Sequence, residues 1–188
     1  MKPKFLGRFW MAALLLGAAA AGAATKESAN LPGTDSDIAN RVRHEVVMYP
    51  YYSIWDDVSF QVTNGQVELL GEVNQPFKKS DIERLVMKVP GVTSVANDLK
   101  VLPLSSFDDR LRLQVARAIY RDPAFTRYAM QAVPPIHIIV DNGHVKLIGV
   151  VSTEMERNIA GMRASGAGLG LGPVDNQLEV EHPTAKKS

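Results

Sequence analysis

Residues 63–73 read TNGQVELLGEV, and residues 141–151 read DNGHVKLIGVV. A pattern that returns after so long an interval restricts the chain to folds built from two like halves. Asn64-Gly65 and Asn142-Gly143 each supply two residues that tolerate positive φ, which closes a two-residue turn between paired strands. The flanks alternate as such strands require. Val58, Phe60, Val62, Val67 and Leu69 fall on one face of the first hairpin, with Ser59, Gln61, Thr63, Gln66 and Glu68 on the other. The second hairpin puts Ile136, Ile138, Val140, Val145 and Leu147 inward and His137, Asp141, His144 and Lys146 outward. Each sheet is expected to have one dry face and one wet face.

The repeat extends past the hairpins. Asp35 or Ser36 is expected to cap a helix carrying Ile38, Val42 and Val46, and Asp108 one carrying Leu111, Val115 and Ile119. Pro50 and Pro123 mark their ends. Behind the first hairpin, Ile82, Leu85, Val86 and Val89 form a helical stripe closed by Pro90-Gly91, and Val95, Asn97, Leu99 and Val101 alternate as a strand. Val174, Asn176, Leu178 and Val180 repeat that strand. The second copy has a longer loop, Ala124 to Pro135, and its second helix is expected to dissolve after Glu156 into Gly161, Gly166, Gly168, Gly170 and Gly172. The order predicts an α+β fold of two tandem small domains, each helix-strand-strand-helix-strand, with a three-stranded sheet and two helices on one face.

The expected organisation is a signal peptide over 1–24, a linker over 25–33, domains over 34–103 and 104–181, and a basic tail over 182–188. Lys2, Lys4 and Arg8 precede an apolar run, Phe9 to Ala24, that ends in small residues. The run is short for a span of roughly 20 residues, and the layout matches a secretory signal cleaved after Ala23 or Ala24. The sequence contains no cysteine, so a disulfide, a thiol nucleophile and a lipid-modified cysteine are all excluded. Removing the three basic residues of the signal takes Lys plus Arg from 21 to 18 against 20 Asp and Glu, a net charge of about −2. Such a balance points away from nucleic acid.

Catalytic motifs are missing as well. Neither a GxSxG elbow nor a GxxxxGK[ST] loop occurs, and the glycine-rich run 163–172 lacks GxGxxG spacing and follows a helix. Asp141, His144 and His137 share a strand face, but metal ligands must meet one ion at about 2 Å, and His137 lies two strand pairs from His144. No catalytic residue, metal or cofactor is expected.

The NGxVxLxGxV signature in both copies, and Pro90-Gly91-Val92-Thr93-Ser94-Val95 leading into Asn97, Leu99 and Val101, resemble the BON domain family. The likeness spans nearly all of the chain after the signal. It implies a non-enzymatic periplasmic protein that attaches to phospholipid surfaces and supports the envelope under osmotic or other stress. A docking module for an envelope or secretion-machinery protein, using sheet edges or an aromatic loop, is the alternative.

Two groups of residues are candidates for such contacts. Arg110, Arg117 and Arg121 recur on one helix face, with Arg112 and Arg127 nearby; each basic residue close to an anionic lipid surface contributes about 1 kcal/mol. A solvated helix face would look the same. Tyr51 and Trp55 lie in an aromatic-rich loop whose rings suit a membrane interface, although core or interdomain packing is the favoured role for Trp55 and Tyr52. Between 34 and 103 acidic residues outnumber basic ones, whereas between 104 and 180 the two balance. The second copy is therefore expected to carry the lipid contact.

Overall fold

Thr34 opens the first helix. Its hydroxyl accepts from the Asp37 backbone N–H while the Asp37 carboxylate accepts from the Thr34 N–H, so two unpaired donors are satisfied reciprocally. The computed structural model describes residues 33–167 and 173–181. The signal segment 1–24, nearly all of the linker, Gly168, Gly170, Gly172 and the tail 182–188 lie outside them.

Helix α1 (Asp35–Val47) buries Ile38, Val42 and Val46, each worth about 1.5–3 kcal/mol when removed from water. They rest on a sheet of β1 (Asp57–Thr63) and β2 (Gln66–Val73), paired antiparallel with Thr63 opposite Gln66. Helix α2 (Pro76–Met87) starts at a proline, whose missing N–H needs no partner there, and adds Ile82 and Val86 to the same core. The third strand runs parallel to β2 in two pieces, β3 (Ser94–Asn97) and β4 (Lys100–Val101). Asn97 is the last residue before the break. Its Nδ2 donates to the Lys79 carbonyl and to Glu83, and its Oδ1 accepts from the Leu99 N–H.

The second copy repeats the plan with α3 (Ser106–Tyr120), β5 (Ile136–Asp141), β6 (His144–Val151), α5 (Glu154–Ala167) and β7 (Asp175–Val180), in sheet order β5-β6-β7. Asn176 does the work of Asn97, donating to the Arg157 carbonyl and accepting from the Leu178 N–H. Three expectations need correction.

The helices begin at Thr34 and Ser105, ahead of the residues expected to cap them. Asp35 and Asp108 serve the hairpins instead: the Asp35 carboxylate accepts from Asn64 and Gly65 N–H, and that of Asp108 from Asn142 and Gly143 N–H. The helix after Glu156 does not dissolve. It continues through Gly161 and Gly166, because Ala160 and Ala164 pack into the core and Gly161 lies against Asn176 where a Cβ would come within 2.8 Å of Nδ2.

The long loop of the second copy has structure of its own. It contains a 3-10 turn (Pro123–Phe125) and the short helix α4 (Thr126–Ala129), and it drives Phe125 and Tyr128 into the core. Ala160 and Ala164 stand where the first copy has Ile82 and Val86, so these two rings supply volume that the small residues leave open.

The outer face of the second sheet is not wet. Ile139 and Ile148 bury against Leu102 of the first copy, and Ile54 and Trp55 pack against the second core. The Ile138 N–H, which points away from β6, donates to the Ile54 carbonyl at 2.7 Å. Around this seam Lys146 pairs with Glu72, and Lys100 pairs with Asp141 at 2.6 Å. The two copies form one unit whose second sheet is covered by the first domain.

Candidate functional site

Covering the second sheet leaves the helices as the free layer of the second copy. On α3, Leu111, Val115 and Ile119 face the core, which turns Arg110, Arg117 and Arg121 to solvent. None of the three makes an ion pair or side-chain hydrogen bond among the described residues. Exposed Leu113 lies within the same stretch, and exposed Met162 stands on α5. Unpaired guanidinium groups beside apolar side chains can meet phosphate oxygens and acyl chains together.

The neighbouring arginines have other work. Arg112 is buried, donates to the Val140 carbonyl and pairs with Asp109. Arg127 pairs with Glu156 and lies 4.7 Å over the Tyr128 ring, while Glu156 and Tyr128 also hold the Ser152 N–H at the start of α5. Its charge is already matched.

The aromatic loop divides between surface and seam. Tyr51 is 61% exposed and meets exposed Phe77 edge to face at 5.5 Å. Trp55 is partly buried against the second core, and Tyr52 packs on the first core with its ring 5.5 Å from that of His137. Burial pushes the His137 imidazole below its ordinary value. Its Nδ1 lies 2.6 Å from the Asp56 carbonyl, so the neutral ring donates there.

Asp56 organises this loop, a role that no local pattern in the sequence marks. Its fully buried carboxylate accepts from the Ser53 N–H and hydroxyl, from the Asn74 N–H, and from buried Lys78 at 2.6 Å. Lys78 Nζ also lies 3.3 Å from the Ser53 hydroxyl. Lys78 and Ser53 thus both bond to the Asp56 carboxylate, which ties helix α2 to the loop. The cluster holds the loop in place.

The turn residues sit in the left-handed region, with φ of 51° at Asn64, 76° at Gly65, 49° at Asn142 and 81° at Gly143. Among the described residues no group of three metal-ligating side chains occurs, and no helix is long and apolar enough to cross a membrane.

The BON domain family model matches the chain twice, over residues 34–103 and 108–182. No curated protein matches. Among solved structures, the C-terminal domain of CdsD, the structural protein of the type III secretion system of Chlamydia trachomatis, aligns at 19% identity with a TM-score of 0.29, covering 77% of this chain and 65% of that one. A second CdsD structure aligns at 21% identity with a TM-score of 0.28, covering 77% and 61%. The chain thus spans less than two-thirds of either, and likeness at that level says nothing of function. Two tandem matches over most of the sequence, each on a helix-strand-strand-helix-strand unit, place the chain in the BON domain family.

Proposed function

We propose that this is a secreted, periplasmic protein that binds anionic phospholipid surfaces peripherally through the outer face of α3 and supports the envelope under osmotic stress. The observation that carries the reading is the set of arginines Arg110, Arg117 and Arg121, unpaired among the described residues, on the helix layer of the second copy that the described part of the first copy leaves uncovered. The first domain acts as scaffold, with its seam holding that layer outward. Three contacts of about 1 kcal/mol each suffice for reversible attachment and are weakened by salt.

The test is co-sedimentation with anionic liposomes across a salt series. Replacing Arg110, Arg117 and Arg121 together with Gln keeps length and helix propensity and is expected to lower binding about ten-fold or more. Undiminished binding by that variant would remove α3 as the contact. A second reading has its own support in the exposed Tyr51 and Phe77 pair, which suits docking of an envelope protein. Under that reading Tyr51→Ser with Phe77→Ser abolishes association, and salt has little effect.

A further inference from the structure

The paired turn clamps align the two copies residue by residue. Because Asp35 and Asp108 hold equivalent turns, Arg117 stands where the first copy has His44, Ala118 where it has Glu45, and Arg121 where it has Met48. Because Asn97 and Asn176 take the equivalent carbonyls of Lys79 and Arg157, Arg163 stands where the first copy has Leu85. A hollow lies between the two helices at this place in both copies. In the first copy it measures about 380 Å³ and mixes Arg41, His44, Glu45, Leu85 and Lys88. In the second it measures about 400 Å³ and is lined by Arg117, Ala118, Arg121, Asp122, Pro123 and Arg163. Three positions have gained a guanidinium and Glu45 has given way to Ala118, while Arg41 and Lys88 are replaced by Gln114 and Gly166 and Tyr49 by Asp122. Two cations and one carboxylate in the first hollow thus become three cations and one carboxylate in the second.

Asp122 does not cancel this charge so much as orient it. Its Oδ2 accepts from Arg163 Nε at 2.7 Å and its Oδ1 from the Ala124 N–H at 2.9 Å. Those bonds hold the carboxyl below its ordinary range, the Ala124 N–H first and Arg163 next. The two terminal nitrogens of Arg163 make no hydrogen bond among the described residues, nor do the guanidinium groups of Arg117 and Arg121. Three arginines and one carboxylate leave an excess of two positive charges in one concave place. A phosphate monoester is a dianion above its second pKa of about 6 and accepts forked guanidinium contacts; a phosphodiester carries one charge.

We infer that the hollow between α3 and α5 is a binding site for a terminal phosphate monoester, carried by a lipid headgroup or by a small soluble phosphate. For a membrane-borne ligand the inference rests on the anionic-surface reading above, whose Arg117 and Arg121 it shares. Arg163 distinguishes the two.

The full chain is mixed at about pH 7.5 with phosphatidylcholine vesicles doped with phosphatidic acid or, at matched surface charge, with phosphatidylglycerol. In a parallel arm, glycerol 3-phosphate is titrated in solution and the arginine Nε–H signals are followed by NMR. Phosphatidic acid is expected to bind about five-fold more tightly than phosphatidylglycerol, and Arg163→Gln to erase that preference by weakening phosphatidic acid binding more than phosphatidylglycerol binding. Arg117→Gln, a second variant at an exposed position, weakens both. A saturable glycerol 3-phosphate response that Arg163→Gln removes, without any vesicle preference, supports the site with a soluble ligand. Equal binding of the two lipids with no saturable response to glycerol 3-phosphate overturns the inference and leaves the α3 reading standing. Failure of every vesicle to bind, with the soluble response intact, sinks the membrane reading alone.

Discussion

Gly149 shows how much a single residue carries. Its φ is 123°, and a Cβ there would lie 1.8 Å from the Pro135 carbonyl oxygen, whereas at Gly143 φ is 81° and the nearest atom is Phe107 Cε1 at 3.5 Å. Both positions charge an L-residue about 1–2 kcal/mol for the left-handed region. Only Gly149 adds a collision with backbone, relieved by opening the start of the β5–β6 ladder. Gly149→Ala is therefore expected to cost about 3 kcal/mol and Gly143→Ala about 1, measured as shifts in urea midpoint. Equal shifts would show that Pro135 moves aside freely. Gly71 repeats the geometry in the first copy, where a Cβ would lie 2.1 Å from the Asp57 carbonyl oxygen, which explains why the second glycine of NGxVxLxGxV occurs in both halves.

At the level of elements, each hairpin turn is clamped from the first turn of the preceding helix. Asp108 is buried and Asp35 half-exposed, so the same loss has different consequences. Asp108→Ala removes two hydrogen bonds and leaves a void where a buried carboxylate stood, and is expected to cost about 3 kcal/mol; Asp35→Ala, at a half-exposed position, about 1. Denaturant midpoints give the totals, and faster amide exchange at Asn142 and Gly143 would locate the damage. A uniform loss of protection across the second copy would argue against a local clamp. The helix stripes and hairpins were legible because each follows from a period in one segment. The reach of α5 was not, since a mid-helix glycine costs about 1 kcal/mol and only contact with Asn176 shows why none of the larger residues fits at Gly161.

Over the whole molecule, the seam makes stability depend on pH. Burial is the main cause that lowers the His137 pKa from 6.5, while the hydrogen bond to Asp56 and the charges of Asp57 and Asp56 oppose it. The folded protein prefers the neutral ring, and the unfolded chain takes up its proton near pH 6.5. This contribution is therefore complete above that value and is lost as pH falls through the lower, folded value. Urea midpoints are expected to fall between about pH 7.5 and about pH 5.5, and His137→Gln, which does not titrate, to flatten the slope. An unchanged slope would place the titrating group elsewhere than His137. The ion pairs rimming the seam matter less, since partly exposed pairs contribute about 0–1 kcal/mol each.

Two domains, their strand order, their turns and the faces of their first helices are written in local periodicity and in the Asn-Gly pairs, because backbone geometry and apolar spacing act over a few residues. The arginine face of α3 was equally legible, being the reverse side of an apolar stripe. What lies between distant segments was not. Ile139 and Ile148 look like lapses on a wet strand face until Leu102 covers them, and Asp56 looks like a loop carboxylate until Lys78 and Ser53 close around it. Arg117, Arg121 and Arg163 come from two helices separated by an entire hairpin, and only the packing of α3 against α5 brings them to one hollow. A sequence states which side chains a segment offers; the neighbours that neutralise, bury or gather them are chosen by the fold.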